Sequence, residues 1–126
     1  MKRLLAAAVL VVLAACACSV IRYESRQTAG REVYYEGRLS SRIERPLSDV
    51  QNATIAAYRH FGIGITKAAS DQLSGAVSGT LASGDLAETD LSSAFAGETV
   101  VSIKIGPEGD RFISLRILRE IMRHLQ

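Results

Sequence analysis

The chain has 126 residues, 48% hydrophobic and 22% charged, with 15 Lys and Arg against 13 Asp and Glu. That length makes one small domain, able to bury a core but not a large one. A net charge of +2 with no concentrated basic surface excludes a nucleic-acid binder as the first expectation.

The N-terminus is basic at Lys2 and Arg3, then apolar from Leu4 to Ala15, and closes on Leu13-Ala14-Ala15-Cys16. A basic start, an apolar stretch and small residues before a cleavage point make a secretory signal peptide. A cysteine directly after the small pair makes the tetrad a bacterial lipobox, with Cys16 as the acylated residue and the new N-terminus. Two alternatives stay open. The uncharged stretch Leu4 to Ile21 is 18 residues, just long enough for an uncleaved membrane anchor. Cys18 could carry the lipid instead, although Ala15-Cys16-Ala17 is a poorer box. Residues 1–15 are thus expected to be a signal peptide, 16–30 a lipidated tether, and 31–126 the folded domain.

Cleavage before Cys16 leaves 111 residues in which 13 basic and 13 acidic residues balance. The surplus positive charge belongs to the leader. No cysteine follows Cys18, so the domain holds no internal disulfide even though export would permit one. Ala17, rather than Asp, follows the lipobox cysteine, a pattern that resembles lipoproteins passed to the outer membrane. The expected location is the bacterial envelope, on the periplasmic side of the outer membrane, held by acyl chains. Ser19 to Gly30 reads as a tether reaching about 20 Å if flexible.

Arg31 to Glu44 predicts a first strand, with Val33, Tyr35, Leu39 and Ile43 at alternate positions. After Pro46, Ser48 and Gln51 have the spacing of a capping box, and Asp49 suits the positive end of a helix. Val50, Ala53, Thr54, Ala57 and Phe61 then recur on one face, and Gly62 supplies the C-terminal cap. From Ile63 the period becomes two. Strands are expected from Ile63 to about Ser70, from Leu73 to Leu81, from Leu86 to Phe95, and over Val101, Ile103 and Ile105. Ser83-Gly84-Asp85 and Gly97-Glu98 read as turns. Asp110 is the expected N-cap of a last helix, with Ser114, Ile117, Leu118, Ile121 and Leu125 on one stripe and Arg116, Arg119 and Arg123 opposite. The expected fold is α+β: an antiparallel sheet of about four to five strands, in strand–helix–strands–helix order, with both helices on one face.

The chain resembles small bacterial lipoproteins known only as a domain of unknown function. The resemblance is carried by Ser48 and Asp49, the Ala53-Thr54 and Ala56-Ala57 pairs, and Gly62. It continues through Thr99, Val101, Ile103, Ile105, Gly109, Asp110, Ser114, Ile117, Leu118 and Ile121, behind the lipobox. The layout is also similar to the helix-grip interaction modules of an outer-membrane β-barrel assembly lipoprotein. The resemblance implies a periplasmic α+β domain and brings no catalytic residues with it.

The residues themselves point away from catalysis. His60 and His124 have no cysteine to activate and no metal-ligand spacing, so no metal or cofactor is expected. Asp85, Glu88 and Asp90 read as a solvated polar face, and Gly106-Pro107-Glu108-Gly109 lacks the ending of a phosphate loop. Arg116, Arg119 and Arg123 are candidate membrane-surface contacts, set against an ordinary solvated face that suits a helix C-terminus. Gly75, Val77 and Gly79 leave room for a closely packed helix or an apolar ligand. The function expected is therefore not enzymatic: a membrane-anchored binding or scaffolding module with a possible envelope protein partner. The alternative is a carrier holding an apolar ligand between sheet and helices.

Overall fold

The computed structural model describes residues 32–126. Leu13, Ala14, Ala15, Cys16, Cys18 and the tether lie outside them. The described chain runs β1 (Val33–Tyr35), β2 (Arg38–Ile43), α1 (Leu47–His60), β3 (Gly64–Ser70), β4 (Ser74–Thr80), β5 (Leu86–Ser93), a 3-10 turn (Phe95–Gly97), β6 (Thr99–Ile105) and α2 (Arg111–His124). The strands form one antiparallel sheet in the order β1-β2-β6-β5-β4-β3. The α1 crossover carries the chain from β2 to the far edge, and β3 to β6 return as a meander that ends beside β2.

The sheet has six strands rather than four to five, because the strand expected over Arg31 to Glu44 is a hairpin. Glu36 and Gly37 both take positive φ, 49° and 79°, as a two-residue type I′ turn requires. The turn resets the side-chain alternation. Tyr35 pairs with Arg38 and Val33 with Ser40 on the outer face, whereas Tyr34 shares the inner face with Leu39. Val33 and Tyr35 are consequently exposed, while Leu39, Ser41 and Ile43 are buried.

Both helices pack on one face of the sheet. Beneath them β6 buries Thr99, Val101, Ile103 and Ile105, and β5 buries Ala87, Thr89 and Leu91. The helices contribute Val50, Ala53, Ala57 and Tyr58 from α1 and Ile117, Leu118 and Ile121 from α2. Each fully buried aliphatic chain stabilises the fold by about 1.5–3 kcal/mol through loss of hydrated surface. β5 ends at Ser93, two residues before Phe95. That ring, expected on the Leu91 face, is instead 94% exposed on a turn where Ala96 takes a φ of 62°.

The two helix starts differ. Asp110 caps α2 as expected, its side chain accepting from the Ile113 amide at 3.0 Å. The capping box expected at Ser48 and Gln51 does not form. The N-cap position is Pro46, and no side chain caps α1. Gln51 is buried instead, and its Nε2 donates to the Ala69 and Ala76 carbonyls at 3.4 and 3.5 Å, tying α1 to β3 and β4. α1 ends as the glycine predicts. Gly62 (φ 69°) donates to the Arg59 carbonyl and Ile63 to the Tyr58 carbonyl, the bond pair of a Schellman motif.

Candidate functional site

Three separate segments meet at the end of the domain where α1 stops. The Schellman turn places Phe61 half-buried and Ile63 buried at this end. The β4–β5 turn is closed by hydrogen bonds from the Leu81 amide to the Asp85 carbonyl and from the Gly84 amide to the Leu81 carbonyl, both 2.9 Å. The capped first turn of α2 brings in Ile113 and, one turn later, Arg116. Phe61, Ile63, Leu81, Ser83, Ile113 and Arg116 line a groove of about 390 Å³, open on one side. The Arg116 guanidinium lies 5.4 Å from the Phe61 ring centroid, within cation–π range. Apart from Ser83 and Arg116 the side chains named here are apolar. The arrangement suits an apolar group with an anionic or carbonyl end at its rim.

The three arginines of α2 are not equivalent. Arg116 covers Phe61, Arg119 is exposed, and Arg123 donates twice to Glu120 Oε1. Glu120, with a side chain only 11% exposed, also lies 3.2 Å from His124 Nε2 and 3.6 Å from His60 Nδ1. Burial pushes the Glu120 carboxyl up. The Arg123 hydrogen bond and the charges of Arg123, His60 and His124 outweigh that and hold it below the usual carboxylate range. The two histidines thus face one carboxylate that already serves an arginine. Among the described residues no group of three or more His, Cys, Asp or Glu could hold a metal ion.

The remaining sequence candidates lie elsewhere. Glu88 and Asp90 project from the outer face of β5, where Asp90 pairs with Arg38 at 3.3 Å, and Asp85 contacts Ser83 in the preceding turn. At Gly75 a Cβ would come 2.8 Å from Gln51 Oε1, and at Gly79 one would come 2.7 Å from Ile63 Cγ2. Those glycines admit close packing of α1 and the chain that follows it. Gln51, rather than the alanine face of α1, is nearest Gly75. The groove has no contiguous sequence signature, because its walls come from Phe61–Ile63, Leu81–Ser83 and Ile113–Arg116. Glu120 had one: Arg123 and His124 follow it at helical spacings of three and four.

No described helix is long and apolar enough to cross a membrane. Curated proteins provide no match to the chain. The sequence pattern of one protein family covers residues 1–124, almost the full length. The chain belongs to that family, described as protein of unknown function (DUF3568).

Proposed function

We propose that the protein is a membrane-anchored envelope lipoprotein whose α+β domain is a binding or scaffolding module. The observation that carries this reading is the tetrad Leu13-Ala14-Ala15-Cys16 closing a basic and then apolar leader. The family match lends support, since it includes the leader as well as the domain. A domain tethered shortly after Cys16 works at the membrane surface, with Ala17 favouring the outer membrane. The likeness in layout to helix-grip interaction modules is consistent with a binding role. So are Leu73 and Phe95, which are 75% and 94% exposed on turns at one end of the sheet, where the Ser93 amide donates to the Leu73 carbonyl.

The test is metabolic labelling with a fatty-acid analogue in a bacterial host. The native chain takes up label and Cys16→Ser does not. Label that persists in Cys16→Ser moves the attachment to Cys18, and absence of label from the native chain ends the reading. For the scaffold role, crosslinking in intact envelopes should recover one recurrent partner. Repeated recovery of the protein alone counts against it.

A second reading, a carrier of an apolar ligand, has one observation in its favour. The groove beside Phe61, Ile63 and Ile113 has a volume in the range of small-molecule sites. It lies at the end of the helix layer rather than between sheet and helices, where the core residues pack. A carrier would release a stoichiometric apolar molecule on organic extraction, and Ile113→Arg would abolish that yield.

A further inference from the structure

The side of α2 turned away from the core carries an unusual combination. Phe112, Arg116, Arg119 and Arg123 recur at helical spacing opposite the buried stripe of Ser114, Ile117, Leu118 and Ile121. Phe112 is 70% exposed, and Leu115 and Met122 beside the stripe are only partly buried. α2 holds four arginines against the single carboxylate Glu120, whereas acidic residues outnumber basic ones in the rest of the described chain. α2 is therefore net positive while the rest of the described chain is net negative. Among the described residues, Arg111, Arg116 and Arg119 make no ion pair, while Arg123 is committed to Glu120.

We infer that this face of α2 docks the domain on an anionic phospholipid bilayer surface. Arg116 and Arg119 meet the lipid phosphates, and Phe112 enters the boundary between headgroups and acyl chains. The chemistry is complementary on both counts: unpaired guanidiniums for phosphate, and an exposed aromatic ring for the interface. The helix then lies along the membrane with its buried stripe still in the core. The inference rests on the proposed anchor, whose tether lets α2 reach the bilayer surface, where the field decays over a Debye length of about 8–10 Å. It places the open groove, whose rim carries Arg116, next to the lipid.

The chain has no tryptophan, so Phe112→Trp in the full-length protein introduces a single reporter. The lipidated protein is reconstituted into vesicles of pure phosphatidylcholine or of phosphatidylcholine with phosphatidylglycerol, each with brominated acyl chains. The expected result is a blue-shifted, strongly quenched tryptophan only in the phosphatidylglycerol vesicles, reversed by about 1 M salt. Adding Arg116→Glu and Arg119→Glu should return the quenching to its level in neutral vesicles, and Arg116→Gln with Arg119→Gln should give an intermediate value. An unchanged circular dichroism spectrum shows that the variants are folded. Equal quenching in both lipids, none in either, or quenching indifferent to charge reversal overturns the inference. Failure of the protein to float with neutral vesicles is a separate result, and it counts against the anchor instead.

Discussion

The Tyr58 hydroxyl of α1 lies 2.7 Å from Thr89 Oγ1 in the middle of β5 and donates to the Val77 carbonyl of β4 at 3.2 Å. Both side chains are fully buried. One phenol thus joins the helix layer to two neighbouring strands. Tyr58→Phe keeps the ring but leaves Thr89 Oγ1 without its partner in the core. The expected loss is about 1–3 kcal/mol in denaturant unfolding. Pairing it with Thr89→Val should recover part of that loss, because the abandoned hydroxyl is then absent as well.

The same burial makes the protein sensitive to alkali. Desolvation, opposed by the Thr89 hydrogen bond and reinforced by the charges of Asp90 and Glu88, pushes the Tyr58 pKa up to about 12 from 10.0. A group whose folded pKa is raised contributes stability that is complete below its unfolded pKa and lost as pH climbs through the folded value. Stability should therefore fall by about 3 kcal/mol between pH 10 and pH 12, at about 1.36 kcal/mol per unit. The Tyr58→Phe protein should lack this part of the fall. Parallel decline in both proteins would remove Tyr58 as its source.

Two glycines fix how the first hairpin meets the start of α2. Gly109 and Gly37 both have positive φ, 83° and 79°. A Cβ on Gly37 would come 2.6 Å from the Glu108 carbonyl oxygen, and one on Gly109 would overlap the Gly37 backbone. Gly84 also has positive φ, 91°, but nothing lies within 4 Å of its Cβ position. Gly84→Ala should cost about 1–2 kcal/mol from backbone strain alone. Gly109→Ala should cost about 3 kcal/mol or more, since backbone atoms cannot give way as a flexible side chain can. Equal losses in the two variants would deny the close contact.

The helix caps show how far sequence can be read and where it stops. Ser48-x-x-Gln51 is the clearer signal on paper, yet only Asp110 caps a helix. Gln51 was claimed by tertiary structure, because Gly75 lets α1 approach and the Ala69 and Ala76 carbonyls accept its amide. Asp110→Ala should destabilise by about 1 kcal/mol, and Ser48→Ala by far less. Thermal unfolding of the two variants checks this.

Periodicity of two and of 3.6 places both helices and β4, β5 and β6 correctly, because each of those elements buries a single face. It fails at Glu36–Gly37, where two residues of positive φ invert the alternation and turn one strand into two. It also passes over Tyr58. Judged as one narrow stripe of small residues, α1 has no obvious place for a phenol, and its partners Val77 and Thr89 are distant in the chain. The groove is illegible for a similar reason, since Phe61, Leu81 and Ile113 become neighbours only once the turns fold. The charged stripe of α2 is the opposite case. Its spacing is plain in the sequence, as is the i,i+3 spacing that pairs Arg123 with Glu120, and only the approach of His60 from α1 required coordinates.

Glu120 should contribute to the acid side of the stability profile. Its carboxyl is held below the usual carboxylate range by the Arg123 hydrogen bond and by the nearby charges of Arg123, His60 and His124, against the opposing effect of burial. A depressed folded pKa contributes stability that is present above the unfolded value and lost as pH falls through the folded one. Glu120→Gln removes that contribution at neutral pH and leaves three basic side chains facing an uncharged amide. The variant should be less stable than the native chain at pH 7, and the gap should close as pH drops below the carboxylate range. Urea unfolding midpoints for both proteins across the acid range measure the difference. A gap that widened on acidification would contradict the assigned direction of the Glu120 shift.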